Sequence, residues 1–356
     1  MGKKGKVTII SRENDSRTLD VGLLEAELLS RDIEVRVLSK LLTKDRSIKM
    51  LGYGTEVLKQ EAAILNSDVV ILDTYCIPAS MLPHSRKTKV VQMWHALAAV
   101  KKFGWQTVGL KDGSSERTAA LMRMHKGYDY VICASDITAE HFCEAFRTDK
   151  GRIAKYGLPR LDYIKSVSRG ERRDEMREKI VRRYPELESG NKKTVLYVPT
   201  FRRNTELSLT ELIDSIDKEK FDLVIKLHPL YRHIKNEAED HEGIIIDDEF
   251  SSFDWLAEAD IIISDYSSLV VESTAADKPL YLYTYDIDEY RNSTGLNMDF
   301  EKEPIAEYVF RNSKDLVKAL EEPYDMEKMR AFRDRYMDID TGNCTSDLAD
   351  FIQSLI

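Results

Sequence analysis

The sequence lacks any apolar run of the roughly 20 residues that a membrane-spanning helix needs. Its basic N-terminus, residues 1–6, leads directly into the strand-like segment Val7-Thr8-Ile9-Ile10, without the longer apolar core and small-residue cleavage site of a signal peptide. These two absences predict a protein that stays in the cytoplasm.

Cysteine is scarce, with four residues and no Cys-x-x-Cys pair, so the sequence predicts neither a zinc site nor a redox motif. No cluster of histidines and carboxylates has the spacing of metal ligands. Asp286-Ile287-Asp288 and Asp338-Ile339-Asp340 match the Asp-x-Asp pattern of metal-dependent glycosyltransferases, but an acidic chain produces so short a pattern by accident. We therefore expect no metal and no cofactor.

An excess of positive charge is also missing, because the formal net charge is −9. This balance argues against nucleic-acid binding, which requires a basic footprint. Arginines and lysines alternate with acidic residues across 165–183, which predicts a solvated helix with i,i+4 ion pairs. The alternative for this segment is a peripheral contact with anionic lipid.

A Gly-x-Gly-x-x-Gly turn is absent after the first predicted strand, where Ser11-Arg12-Glu13-Asn14 stands instead. That turn carries the pyrophosphate contact of dinucleotide-binding domains, so its absence argues against a dehydrogenase.

What the chain does contain is an alternation of apolar strands and helices in both of its halves. Such a rhythm predicts α/β domains with parallel sheets covered on both faces. With 356 residues we expect two domains, over 1–165 and 166–356, with a boundary near 161–170 and a helical C-terminal tail. The predicted strands are 7–10, 33–38, 68–73, 90–93, 130–134, 194–198, 223–227, 243–247, 260–264 and 279–283. The predicted helices are 18–30, 56–66, 114–127, 136–146, 209–217, 253–259, 268–276, 313–320, 326–336 and 346–356.

Two histidines, His95 and His228, each end an apolar run, and they lie in different halves of the chain. Ligands of open α/β sheets bind beyond the carboxyl ends of the strands, so this placement predicts a cleft between two domains. His95 is a candidate general base because an imidazole titrates near neutral pH. The alternative is a buried histidine bonded to a neighbouring carbonyl.

Candidate anion-binding groups follow two strands of the second half. Asp265, Ser267 and Ser268 stand between a strand and a helix, where free amides and the helix dipole attract a phosphate. Thr200 and Arg202 follow another strand, and the guanidinium fork of Arg202 suits a phosphate. The alternatives are a simple serine cap and a solvated arginine. Together these groups predict a phosphate pocket.

Five motifs in order resemble those of the CDP-glycerol glycerophosphotransferase family, the teichoic acid primases and polymerases of Gram-positive bacteria. The resemblance extends from Gln92 to about Gly295. The motifs are Gln92-Met93-Trp94-His95, Tyr197-Val198-Pro199-Thr200-Phe201-Arg202, Lys226-Leu227-His228-Pro229, Ser264-Asp265-Tyr266-Ser267-Ser268, and Tyr283-Thr284-Tyr285-Asp286 with Tyr290-Arg291 and Gly295.

The resemblance implies a GT-B fold, in which two Rossmann-like domains face each other across a cleft. It implies that the C-terminal domain holds the donor and the N-terminal domain lies on the acceptor side. His95 matches the family's proposed general base, and His228 matches the histidine near the donor pyrophosphate. Thr200, Arg202, Ser267 and Ser268, the last two in the same motif as Asp265, match positions lining the donor phosphates.

The family also implies a function: transfer of a polyol-phosphate from CDP-glycerol or CDP-ribitol to a terminal hydroxyl, with release of CMP. The acceptor hangs from a polyprenyl diphosphate, so the enzyme is expected peripherally on the inner face of the membrane. Many members read Trp-His-Gly, whereas this chain has Trp94-His95-Ala96 followed by Lys101-Lys102-Phe103-Gly104. That form resembles the ribitol-phosphate and polymer-extending branch, so the polyol stays open.

Two alternative functions remain open at this point. One is a GT-B glycosyltransferase or epimerase that uses a UDP-sugar, and the other is a non-catalytic module that binds a nucleotide or polymer.

Overall fold

The structure, a computed structural model, describes residues 5–41, 50–111, 113–202, 209–227, 231 and 243–356. The chain forms two units that are described separately below. The first comprises Met1–Asp162, Ser293–Gly295 and Tyr336–Ile356, and the second comprises Tyr163–Asn292 and Leu296–Arg335.

The first unit is built on a parallel sheet of six strands, in the order β2-β1-β3-β4-β5-β6. The central strand β3 reads Val-Val-Ile-Leu and is buried along its whole length, as expected for a parallel strand covered on both faces. The strand order changes direction between β1 and β3. The strands are β1 (Lys6–Ser11), β2 (Glu34–Ser39), β3 (Val69–Leu72), β4 (Lys89–Gln92), β5 (Tyr130–Cys133) and β6 (Ile153–Lys155).

Helices alternate with these strands, as the sequence predicts. They are α1 (Leu19–Ser30), α2 (Met50–Leu65), α3 (Ile77–Met81), α4 (Glu116–Leu121) and α5 (Asp136–Phe146). The side chain of Ser135 caps α5 by accepting a hydrogen bond from the Thr138 amide at 3.2 Å. The predicted helix 114–127 is too long, because Arg123 and His125 adopt left-handed backbone angles that end α4 early.

The second unit contains another parallel six-stranded sheet, in the order β12-β11-β10-β7-β8-β9. This is the Rossmann strand order, and its direction changes between β7 and β10. The expected α/β class with two doubly wound parallel sheets is therefore confirmed. The strands are β7 (Lys193–Tyr197), β8 (Phe221–Ile225), β9 (Ile244–Ile246), β10 (Ile261–Ser264), β11 (Leu280–Tyr283) and β12 (Val309–Phe310).

The helices that follow α5 are α6 (Arg160–Val167), α7 (Gly170–Arg183), α8 (Thr210–Ser215), α9 (Leu269–Glu272), α10 (Ile287–Ser293), α11 (Ser313–Leu320) and α12 (Met326–Tyr336). The predicted helix 268–276 is only partly α-helical, because α9 continues as a 3₁₀ turn over Ser273–Ala276. The predicted helix 253–259 is a 3₁₀ turn over Asp254–Ala257.

The last helix, α13 (Cys344–Ser354), packs against α1 in the first unit. Arg31, the residue after α1, donates to the Ser346 carbonyl at 3.1 Å and forms an ion pair with Asp350. The Asp162 carboxylate accepts hydrogen bonds from the amides of Cys344 and Thr345, at 2.9 and 2.7 Å. The predicted helical tail is present, and it is divided between the units: α13 belongs to the first, whereas α11 and all but the last residue of α12 belong to the second. The predicted domain 166–356 contained the whole tail.

Within the described ranges, no helix combines the length and the apolarity that crossing a bilayer requires.

Candidate functional site

His95 lies three residues after the end of β4, and its neighbour Trp94 has an unusual backbone conformation. Trp94 has a φ of 62°, in the left-handed region that side chains with a Cβ rarely occupy. The Trp94 ring stacks on Phe103 with a centroid distance of 4.7 Å and meets the edge of Phe146 at 5.2 Å. The Trp94 amide donates to the Gln92 side chain at 3.0 Å. Packing and this bond hold the strained turn, which is the kind of feature found at functional sites.

The His95 ring makes one hydrogen bond that defines its tautomer. Nδ1 lies 3.0 Å from the backbone oxygen of Asp73, just after β3. A carbonyl oxygen only accepts, so Nδ1 carries the proton and the Nε2 lone pair is left to accept another. The side chain is 36% exposed, so a proton can reach it. The bond to a carbonyl that we considered as an alternative is present, but the ring is only half-buried and its Nε2 remains available.

Two carboxylates lie beside His95 that the sequence did not single out. Glu13, just after β1, places Oε1 3.6 Å from His95 Nδ1. Asp73 is buried, and burial raises the pKa of its carboxyl group. Its Oδ1 accepts a hydrogen bond from the Arg12 amide at 3.3 Å. Their positions in the sequence could have identified them, because both acids follow strands, β1 and β3, between which the strand order of the sheet changes direction.

In the second unit, Asp265 joins the chain segments that follow β7 and β10. Both of its carboxylate oxygens lie 3.0 Å from the amide nitrogen of Thr200, which donates to them, and the Tyr266 amide donates to Oδ1 at 2.6 Å. The side chain is fully buried. Asp265 therefore fixes the backbone of the two segments that carry Thr200 and Tyr266.

Arg202 is buried, and most of its N–H groups donate to nearby acceptors. Its Nε and Nη2 donate to the two oxygens of Asp286 at 3.0 and 3.2 Å, and its Nη1 donates to the Thr200 carbonyl at 2.6 Å and to Asp265. Four of its five N–H groups are thus engaged. Burial alone lowers the pKa of this guanidinium, but the carboxylates outweigh it and hold the pKa above its usual value.

This geometry corrects one alternative, because Arg202 is not a solvated charge: its side chain is 2% exposed. The fork that we expect to hold a phosphate faces Asp286, whose Oδ1 also accepts from the Tyr266 hydroxyl at 3.0 Å. Asp286 lies 84 positions along the chain, so no local pattern identified it as the partner.

Ser267 and Ser268 are half-buried at the start of α9. Ser267 Oγ accepts from the Leu269 amide at 3.2 Å, and Ser268 Oγ donates to Glu272 at 3.0 Å. Among the described residues, neither serine amide has an acceptor, and the Thr200 hydroxyl is buried without a partner. Unpaired donors of this kind suit an anion. The dipole contribution is smaller than expected, because α9 has only four residues.

His228 lies outside the described residues, but the segment that leads to it is well anchored. Lys226 Nζ donates to Asp247 at 2.8 Å, and the same carboxylate accepts from Trp255 Nε1 at 2.9 Å and the Tyr184 hydroxyl at 2.7 Å. Burial raises the pKa of Asp247, but these donors prevail and lower it.

The part of the chain that the structure describes contains no group of three or more histidines, cysteines and carboxylates able to hold a metal ion. The two acids of Asp286-Ile287-Asp288 have separate tasks, since Asp286 binds Arg202 and the exposed Asp288 pairs with Arg311 at 3.1 Å.

Solved structures place the chain in the GT-B class of fold. The wall teichoic acid polymerase TagF superimposes with a TM-score of 0.75 at 19% identity, covering 99% of this chain and 89% of that chain. The UDP-GlcNAc 2-epimerase of Neisseria meningitidis superimposes with a TM-score of 0.62 at 14% identity, covering 99% of this chain and 100% of that chain. At such identities the likeness concerns the fold alone.

Sequence comparison is more specific. The chain belongs to the CDP-glycerol:poly(glycerophosphate) glycerophosphotransferase family, whose model matches residues 3–354, and it is thus a transferase of the CDP-polyol type. The teichoic acid ribitol-phosphate primase of Bacillus spizizenii is 30% identical over 298 residues, which cover 81% of this chain and 75% of that protein. The teichoic acid glycerol-phosphate primase of Bacillus subtilis is 30% identical over 306 residues, which cover 84% of this chain and 77% of that protein. The family expected from the motifs is confirmed.

Proposed function

We propose that the chain transfers glycerol-phosphate or ribitol-phosphate from the CDP-polyol to a terminal hydroxyl of a lipid-linked acceptor in the synthesis of teichoic acid or a related polymer. The observation that carries this proposal is the His95 ring, held with Nδ1 as donor and Nε2 free, in a chain of this family. Glycerol-phosphate and ribitol-phosphate primases are equally similar to it, at 30% identity, so the polyol stays open.

In the proposed reaction, His95 Nε2 takes the proton of the acceptor hydroxyl. The hydroxyl oxygen attacks the phosphorus that bears the polyol, and a new P–O bond forms. The P–O bond to the bridging oxygen breaks, and that oxygen leaves with its electron pair as part of CMP. Such phosphoryl transfer depends mainly on positioning and on charge stabilisation.

We assign the donor diphosphate to the carboxyl ends of β7 and β10, and the acceptor to the first unit. The free amides of Ser267 and Ser268 and the unpartnered hydroxyl of Thr200 support this assignment. Arg202 and Asp265 contribute by holding these groups in place. His228, if protonated, adds charge balance near the pyrophosphate.

The decisive experiment identifies the nucleotide that the protein releases. The protein is incubated with CDP-glycerol, CDP-ribitol or UDP-sugars together with a polyprenyl-diphosphate-linked acceptor. We expect CMP from one or both CDP-polyols, with a phosphodiester added to the acceptor. Release of UDP or isomerisation of the sugar would support the alternative enzyme, and donor binding without turnover would support a non-catalytic module.

We further propose peripheral attachment to the inner face of the membrane through a basic and apolar segment, residues 102–126. Leu110 and Leu121 are 44% and 71% exposed there, in a stretch that also exposes Lys102, Arg123 and Lys126. Exposed leucines among cations suit an anionic lipid surface.

Vesicle flotation tests this attachment. The double variant Leu110→Ser/Leu121→Ser should float less with anionic vesicles, and salt should weaken binding of the unmodified chain. The matched control is Leu58→Ser/Leu65→Ser on α2, where the leucines are also exposed, at 69% and 55%. Equal flotation of the two double variants would count against this segment.

A further inference from the structure

We propose that Glu13 is a positioning residue that acts through His95: its charge stabilises the imidazolium that forms when Nε2 takes the proton of the acceptor hydroxyl. This inference rests on the proposed function and adds a carboxylate that the family motifs do not include. Glu13 lies in the segment after β1, far outside the stretch from Gln92 to Gly295 in which those motifs occur.

The geometry favours an electrostatic role for this carboxylate. Glu13 Oε1 lies 3.6 Å from His95 Nδ1, whose proton already points to the Asp73 carbonyl at 3.0 Å. The carboxylate therefore acts on the ring mainly through its charge. Both side chains are partly exposed, at 40% and 36%, so the interaction is screened but not abolished by solvent.

Other charged or titratable groups around the ring do not replace Glu13. The Asp73 carboxyl is buried, and burial raises its pKa, which opposes ionisation. His125 faces the same region, but burial lowers its pKa to about 3, so it is neutral at physiological pH. Arg12 points its guanidinium to the Tyr75 carbonyl. Glu13 is thus the solvent-accessible negative charge nearest to Nδ1 among the described residues.

The position of Glu13 is informative on its own. It occupies the segment after the first strand, at the change of strand order between β1 and β3, where dinucleotide-binding folds place glycines against a pyrophosphate. A carboxylate at that place repels phosphate. A carboxylate near an imidazole suits this position instead, because its charge stabilises the protonated ring.

The test compares Glu13→Gln with the matched control Glu25→Gln on α1, where Glu25 pairs with Arg17 away from His95. Removing the carboxylate destabilises the imidazolium, so His95 should stay unprotonated to lower pH while becoming a weaker base. For Glu13→Gln we expect the acid limb of kcat to move to lower pH by about half a unit and the plateau to fall about threefold, as for a partly exposed ion pair. KM for the CDP-polyol should not change, and Glu13→Asp should be intermediate.

A measurement without substrate separates this proposal from the proposed function. The His95 imidazole is titrated by NMR in the unmodified chain, Glu13→Gln and Glu25→Gln, with its signals assigned by their loss in His95→Gln. A midpoint that moves to lower pH only in Glu13→Gln supports the pairing even if CMP is never released. An unmoved midpoint, or a loss of kcat with an unmoved acid limb, would overturn it. Failure of the unmodified chain to release CMP would count against the proposed function alone.

Discussion

The two sheets change strand order at equivalent places, between β1 and β3 and between β7 and β10, but the groups found there differ in exposure. In the first unit, His95 and Glu13 are 36% and 40% exposed. In the second unit, the side chains of Arg202 and Asp265 are 2% and 0% exposed. In the first unit an imidazole ring stays in contact with solvent, whereas in the second unit the charged side chains are buried in a network of ion pairs.

This difference suggests a division of labour between the two places. Proton transfer needs a ring that protons can reach and leave, which requires exposure. Anion binding needs fixed donors, and a buried ion-pair network can hold backbone amides and a hydroxyl at fixed positions. We therefore expect substitutions around His95 to change turnover, and substitutions in the buried network to change stability.

The largest effect should come from His95→Ala. Removing a general base should lower turnover by about two to four powers of ten, with little loss of stability because the side chain is only half-buried. The measurement is CMP release from CDP-glycerol or CDP-ribitol. His141→Ala on α5, also half-buried, is the control and should keep normal turnover. Near-normal turnover of His95→Ala would overturn the assignment of the base.

The next effect concerns stability in the second unit. Asp286→Asn removes the carboxylate that accepts from Nε and Nη2 of buried Arg202, while Asp265 keeps the guanidinium paired, so the loss of these charge-assisted bonds should cost about 1.5–3 kcal/mol of unfolding free energy. Urea unfolding measures this loss. Asp288→Asn, two residues away, is the matched control, because Asp288 is 73% exposed and should lose almost nothing. Equal losses in the two variants would show that the buried network does not stabilise the unit.

A pH-dependent effect is expected in the first unit. Burial lowers the pKa of His125 to about 3, whereas an unfolded histidine titrates near 6.5. Below about pH 6.5 the unfolded chain binds a proton that the folded chain refuses, so stability is fully present above that pH and falls as the pH drops toward 3. The slope is at most about 1.4 kcal/mol per pH unit.

His125→Asn should flatten this slope, since asparagine does not titrate and tolerates the left-handed backbone at this position. Unfolding curves at pH 7, 6 and 5 make the comparison. If the free energy of unfolding falls equally with pH in the variant and the unmodified chain, groups other than His125 cause the acid sensitivity.

The smallest effect is expected at Thr200. Its buried hydroxyl has no partner in the described residues, so Thr200→Val should leave stability unchanged or slightly raise it. If that hydroxyl binds the donor diphosphate, KM for the CDP-polyol should rise about tenfold. Thr210→Val, at an exposed position in α8, is the control and should leave KM unchanged. A lower stability without a change in KM would assign a structural role to Thr200.

Much of the fold follows from the sequence, because buried parallel strands appear as continuous apolar runs. The strands β6 and β12 were not predicted, since they are two or three residues long and only partly buried, so no run marks them. Helix α2 begins at Met50, six positions before the predicted start. The helical tail was predicted, but periodicity does not reveal that its last helix packs on α1.

The candidate site was predictable in position but not in pairing. Residues that follow strands, such as His95 and Thr200, can be located because the carboxyl ends of parallel strands share one edge. The pairing of Arg202 with Asp286 joins distant segments and leaves no local pattern. Glu13 was noticed only as a departure from a glycine motif, and its relation to His95 depends on the way the left-handed Trp94 turns the next residue.

The packing of α13 on α1 has a consequence for synthesis on the ribosome. The first unit contains residues 1–162 together with the distant segment 336–356, whereas the second unit is almost continuous in sequence. The second unit is therefore made in full before the final helix that the first unit requires, and we expect the second unit to fold without that helix. Limited proteolysis of a chain truncated after residue 335 should show a protected second unit and a first unit that is still open to cleavage.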